Sequence, residues 1–223
     1  MNGIWLLLLL IITAALPVII VFCWLRVKKS PVTLPWFLAF LAAGIFSVFV
    51  AAIAQRLFPP PGMNELWALF FGVFIRIALV EETSRLVSII PLLAIIRRRK
   101  NLDRSFCGAL GFVSGLGFAM MESAFYGISD FKIILLRAVT AAPLHSACGI
   151  RVCAAFLAVR EHPVKAFSLF ISTVLIHGAY NLIILNPALP SVLAILIAFA
   201  TLFASIRYFS KTPDDDNFVP PSP

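Results

Sequence analysis

Seven apolar runs, most of them about the length that crosses a bilayer, decide what this chain can fold into. They lie near residues 3–25, 33–55, 66–96, 106–128, 131–159, 164–186 and 190–209, separated by polar or Pro/Gly breaks. A soluble globule of 223 residues cannot hide so much apolar surface, with 61% of positions hydrophobic and 13% charged, against roughly 45–50% and 25% in an average soluble domain. The expectation is an all-α, polytopic transmembrane helix bundle of about seven spans. Residues 1–211 would form one membrane domain, followed by a disordered, acidic, proline-rich tail over 212–223. The third run is too long for one perpendicular crossing; tilt, a kink at Pro91 or an interfacial start around Asn64 to Trp67 must absorb the surplus.

The formal charge of +8 would suit an anionic partner, but the basic residues sit mostly at the ends of apolar runs, where they act as topology signals. With seven spans, one side collects Arg26, Lys28, Lys29, Arg97, Arg98, Arg99, Lys100, Arg104, Arg160, Lys165, Arg207 and Lys211, and the other only Arg56 and Lys132. Lys and Arg accumulate in cytoplasmic loops, so the N-terminus is expected outside and the C-terminus in the cytoplasm, with the bilayer and not nucleic acid as the partner. The first run has no positive segment before it, and its charges follow it, so it reads as a retained helix. Cys23, Cys107, Cys148 and Cys153 show no CxxC or zinc spacing and are expected as small buried hydrophobes without a disulfide.

Ionisable side chains lie well inside four of the runs: Arg76, Glu81, Glu82 and Arg85; Glu122; Arg137, His145 and Arg151; and His177. Each charge costs roughly 2.5–3.5 kcal/mol at a helix centre, and such residues normally face the bundle interior. Helices three to six are therefore expected to build a polar core, with helices one, two and seven as lipid-facing support. Residues four apart share a helix face, so Glu81 is expected to pair with Arg85 while Glu82 points elsewhere. One arginine cannot neutralise both carboxylates, which leaves one for other work. His177 shares a face with Asn181, and Phe118 with Glu122. At 1.5 Å per residue from the outer ends, Glu81 and His145 fall about 20 Å down, His177 about 14 Å and Glu122 about 9 Å. Gly111 and Gly115 have the small-xxx-small spacing that lets helix backbones approach. Arg76, Arg137 and Arg151 read as counter-charges or snorkelling residues.

Carboxylates and imidazoles at close quarters activate water, either directly or through a divalent metal that lowers the pKa of its bound water. The chain has no HExxH, Gly-x-Ser-x-Gly or P-loop motif. Chains of Glu and His also serve proton- or ion-coupled transporters, and a non-catalytic scaffold is a third class. The absence of a repeat between the halves weighs against an inverted-repeat transporter, and no span has a central lysine for a retinal Schiff base.

Four motifs in order, one per helix, resemble those of PrsW-type intramembrane proteases: Glu81-Glu82-Thr-Ser-Arg85, Phe118-Ala-Met-Met-Glu122, Arg137 with Ala142-Pro-Leu-His145, and His177-Gly-Ala-Tyr-Asn181. The resemblance covers roughly residues 76–182. A double Glu and a His-xxx-Asn recur similarly in the wider group containing the CAAX prenyl-protease-like membrane proteins. It implies an endopeptidase, with a catalytic core at about 66–186, that cuts a membrane-anchored protein such as a single-span anti-sigma factor on its extracytoplasmic side, in a bacterial inner membrane. By position, Glu81 or Glu82 would activate the water. Glu122, His145 and His177 would complete the catalytic set or hold zinc or another divalent metal, and Asn181 would stabilise the oxyanion. Arg85 and Arg137 would be structural counter-charges. Arg85 stands where the family usually has lysine, an exchange that a counter-charge survives and a proton-transferring lysine does not.

Overall fold

The computed structural model describes residues 3–57, 65–99, 103–127, 131–186, 188–190 and 192–210. The tail over 212–223 and the Asn64 end of the expected interfacial segment lie outside them. The described residues form the helices α1 (Gly3–Val27), α2 (Leu34–Leu57), α3 (Glu65–Phe70), a π-helix (Phe71–Leu79), α4 (Val80–Arg99), α5 (Arg104–Gly127), α6 (Phe131–Val139), α7 (Ala141–Ala158), α8 (Pro163–Leu185) and α9 (Val192–Ser210). Four of them, α2, α5, α7 and α8, are long and apolar enough to cross a membrane. The chain is an all-helical, multi-pass membrane protein.

Two of the seven expected runs are not single helices. The third divides into α3, the π-helix and α4. Its surplus length is absorbed chiefly by the widened i→i+5 turns of the π-helix, a device found frequently at functional sites. Pro91 lies inside α4, which continues past it to Arg99. The fifth run breaks at Thr140, and Pro143 explains why. A proline ring clashes with the carbonyl four residues back, here that of Val139, the last residue of α6. Placed in the first turn of α7, Pro143 is tolerated because its missing N–H has no partner to lose there. Thr140 ties the break down: its hydroxyl donates to the Leu136 carbonyl (2.9 Å) and accepts from the Tyr180 hydroxyl (3.0 Å).

At the centre α5 packs against α7, and these two bury 67% and 72% of their apolar windows, against 33% for α2 and 28% for α8. Glycines set the spacing. A Cβ on Gly111 would strike the Gly149 carbonyl and lie 2.9 Å from the Cys153 sulfur. One on Gly115 would strike the His145 carbonyl and lie 2.6 Å from the Ser146 Cα. The small-xxx-small pair thus presses α5 onto the turn of α7 that carries His145. Opposite it, Gly44 of α2 faces the Ser114 carbonyl, and Gly117 faces that of Leu41.

The α1 end is closed differently. The Ser30 N–H reaches the Leu25 carbonyl (2.9 Å) and the Lys29 N–H that of Arg26 (3.1 Å), with Lys29 at φ 51°. This is a Schellman cap whose left-handed position normally belongs to glycine; a side chain there costs about 1–2 kcal/mol.

Candidate active site

The π-helix and α4 bring Glu81 and Glu82 to the interior one after the other, with Glu82 and Arg85 fully buried. Arg85 pairs with Glu82 rather than Glu81, so the expected partner is exchanged. At three residues' separation the guanidinium reaches Glu82 Oε2 through Nη1 while Nη2 lies 3.1 Å from His145 Nδ1. Its plane lies over Phe118, 4.4 Å from the ring centroid, so Phe118 serves the same cluster from α5. Glu81 is the carboxylate left over. Its Oε1 accepts from the Gln55 amide of α2 (3.3 Å), and its buried Oε2 has no hydrogen-bond partner. His177 Nε2 lies 3.6 Å from that oxygen.

His177 is held on its other edge by Glu82 Oε1, 2.7 Å from Nδ1. A carboxylate only accepts, so Nδ1 carries a proton, and in the neutral ring Nε2 presents its lone pair toward Glu81. Gly178, the next residue, has no room for a side chain because Phe74 of the π-helix occupies it; this contact fixes α8 against the π-helix where His177 enters.

His145 is held on both edges. Arg85 has only N–H groups to offer, so Nδ1 accepts; Nε2 then carries the proton and donates to Glu122 Oε2 at 2.8 Å. Arg137 closes this side by pairing with the same Glu122 oxygen, with its Nε 3.2 Å from the Ser123 hydroxyl and its guanidinium over Tyr126. The two imidazoles meet edge to face, centroids 4.9 Å apart. The expected separation in depth between Glu122 and His145 therefore does not exist. A continuous helix from residue 131 would carry His145 deeper, whereas the break at Thr140 puts it in the second turn of α7, level with Glu122. Asn181 is half-buried, one turn beyond His177 on α8.

Two groups among the described residues bring metal-type donors within 4.8 Å of one another: Glu81, His145 and His177, and Glu82, Cys148 and His177. Glu122 is in neither, being engaged with His145 and Arg137. The chain matches the model of the PrsW family of intramembrane metalloproteases over residues 31–206. It belongs to that family. No curated protein and no solved structure matches it. Membership makes the chain an intramembrane peptidase whose substrates are proteins in the membrane, and the matched stretch takes in every motif described above.

Three features escaped the sequence. Gln55 reaches Glu81 from α2, a helix expected only to face lipid, because a neutral amide in an apolar run carries no charge to mark it. Cys148 lies with Glu82 and His177 although it reads as an inert hydrophobe, and its position one turn after His145 was the available signal. Cys23 is exposed, unlike the three buried cysteines. Arg151 reaches Ser172 of α8, and Arg76 donates to the Gln55 carbonyl (3.4 Å), both away from the histidine pair.

Proposed function

We propose that this PrsW-family chain is an endopeptidase that hydrolyses a membrane-anchored protein through water held between Glu81 and His177. The observation that carries this reading is the approach of Glu81 Oε2, a buried carboxylate oxygen with no hydrogen-bond partner, to His177 Nε2 at 3.6 Å. Two acceptors at that distance repel unless a proton or a cation lies between them. A Glu/His/His set is also a donor set of catalytic zinc sites. Glu81 and His177 would hold the metal, joined by His145 once it releases Arg85 or Glu122. A bound zinc or other divalent metal would lower the pKa of water and polarise the scissile carbonyl.

The remaining residues position these two. Glu82, anchored by Arg85, fixes the His177 tautomer and ring orientation, as carboxylates do behind ligating histidines. Where no metal is bound, Glu81 takes the proton from the attacking water; Asn181 donates to the oxyanion, and Glu122 and Arg137 hold His145. The substrate fitting this arrangement is a single-span protein such as an anti-sigma factor, cut on the extracytoplasmic side. The basic-loop bias supports seven crossings, with α6 and α7 as one, the N-terminus outside and the C-terminus in the cytoplasm of a bacterial inner membrane. Residues 1–211 form the membrane domain, about 66–186 its catalytic core.

The test is co-expression with a tagged single-span substrate. A fragment should appear with the wild type and vanish with Glu81→Ala and with His177→Ala, both still folded. Elemental analysis and chelator sensitivity, measured alongside, separate a metal enzyme from one that uses a glutamate-activated water alone. Cleavage that persists in both variants would remove these residues from the mechanism. Proton or solute flux in vesicles without proteolysis would favour a transporter.

A further inference from the structure

A cavity of about 340 Å³ opens at the other end of α5 and α7, among residues of α1, α5, α7 and α9 and the turn after α1. Its volume lies in the range of small-molecule sites, and its chemistry is divided. Lys28, Lys29, Ser30 and Ser105 form one part of the wall; Leu25, Phe112, Ile150 and Ile206 form much of the rest, and no acidic residue among the described residues lines it. Trp24 and Ile206, which also line it, are exposed apolar side chains. The same end carries Arg104 and Lys165, both over the Tyr208 ring.

We infer that this cavity binds one anionic phospholipid, its phosphate on Lys28 and Lys29 and an acyl chain running out past Trp24 and Ile206. Two lysines without a carboxylate select an anion, and the apolar walls select an amphiphile over a free ion. In a membrane protein, basic pockets between helices at a bilayer surface take such headgroups. The backbone adds an independent observation. Lys29 occupies the left-handed position of the α1 cap, where glycine would be easier; a side chain placed there at a backbone cost points to a role for it. The inference does not depend on the proposed chemistry, since Glu122 and His145 lie beyond the Gly111–Gly149 crossing from the cavity.

The experiment is quenching of Trp24 in the purified full chain by phosphatidylglycerol with brominated acyl chains, against phosphatidylcholine with the same chains. The Trp24→Phe variant is subtracted to isolate the signal. Each lysine at an anionic surface is worth about five-fold, so the anionic lipid should reach half-quenching at a mole fraction up to about 25-fold lower. Lys29→Gly should remove about five-fold of that preference while keeping or raising the melting temperature, because glycine suits the cap. Lys28→Gln combined with Lys29→Gly should abolish it, and Arg97→Gln with Arg98→Gln should leave it intact. Equal quenching by the two lipids overturns the inference. So does a preference that survives the double lysine variant, or one lost equally with Arg97 and Arg98. Inorganic phosphate that displaces the anionic lipid at millimolar concentration would assign the site to a free anion instead.

Discussion

The site contains the same assembly twice. On the α4 and α8 side, Glu82 joins His177 to Arg85; on the α5, α6 and α7 side, Glu122 joins His145 to Arg137. Each is a histidine hydrogen-bonded to a carboxylate that an arginine neutralises. They differ in what is left over. His177 spends one nitrogen and keeps the other, which meets the unpartnered oxygen of Glu81. His145 spends both, one on Glu122 and one on Arg85. The first assembly is also sealed, with Glu82 and Arg85 at 0% exposure, whereas Arg137 and Glu122 retain 12% and 16%. Residue type alone therefore does not assign the chemistry. Under the proposed mechanism, the histidine with a nitrogen to spare would mark the reacting side, and the one engaged on both edges the supporting side.

The largest effects are expected where that asymmetry is sharpest. Glu81→Gln preserves size and the Gln55 contact but removes the base, and should lower substrate cleavage by about 10²- to 10⁴-fold, the usual worth of a general base. His177→Ala should match it. Thermal melting should change little for Glu81→Gln, since the lost charge has no short ion-pair partner. If instead Glu122→Gln were the most damaging substitution and Glu81→Gln nearly silent, the two sides would have to be exchanged.

Glu82→Gln comes next and separates stability from chemistry. It leaves the buried Arg85 guanidinium without its carboxylate, a change that typically costs about 3–5 kcal/mol. It also weakens the hold on His177, for which losses of about 10- to 100-fold in activity or metal affinity are usual. Both should appear together, as a lowered melting temperature and slower cleavage. Arg85→Lys bears on the departure from the family's usual residue. Lysine can still neutralise Glu82, yet it cannot also reach His145 with a second fixed donor. Cleavage within about ten-fold of wild type would mark Arg85 as a counter-charge, because roughly one charge-assisted hydrogen bond is lost. Complete loss would show that its contact with His145 is part of the mechanism.

Much of this was legible in the residues, for definite reasons. Buried charge is so costly that Glu81, Glu82, Glu122, His145 and His177 could be read as an inward-facing set from their positions alone. One arginine does leave one carboxylate free, although four-residue spacing points to Glu81 as its partner and Arg85 pairs with Glu82. Helix phase near Glu81 is altered by the π-helix, whose extra residue per turn no apolar pattern announces. Pro143 could have located the break before His145, since its clash with Val139 follows from covalent geometry. Gln55 and Cys148 were hidden for another reason: a neutral amide and a thiol cost little in an apolar run, so neither stands out until the fold places it beside a carboxylate.

Gln55 supplies the smallest effect and the finest test of the comparison. Its amide donates to Glu81 Oε1 at 3.3 Å, the only hydrogen bond holding that carboxylate among the described residues. The supporting side has nothing equivalent, because Glu122 is held by an arginine and a histidine. A single neutral-donor bond is worth about 1 kcal/mol net, or about five-fold in rate if it acts mainly on the reacting geometry. Gln55→Leu should therefore slow cleavage by about that factor, and Gln55→Glu should slow it further by placing a like charge against Glu81. In Glu81→Gln, whose residual activity no longer depends on orienting a carboxylate, adding Gln55→Leu should change nothing more. Independent, additive losses in that double variant would detach Gln55 from Glu81 and leave α2 as packing alone.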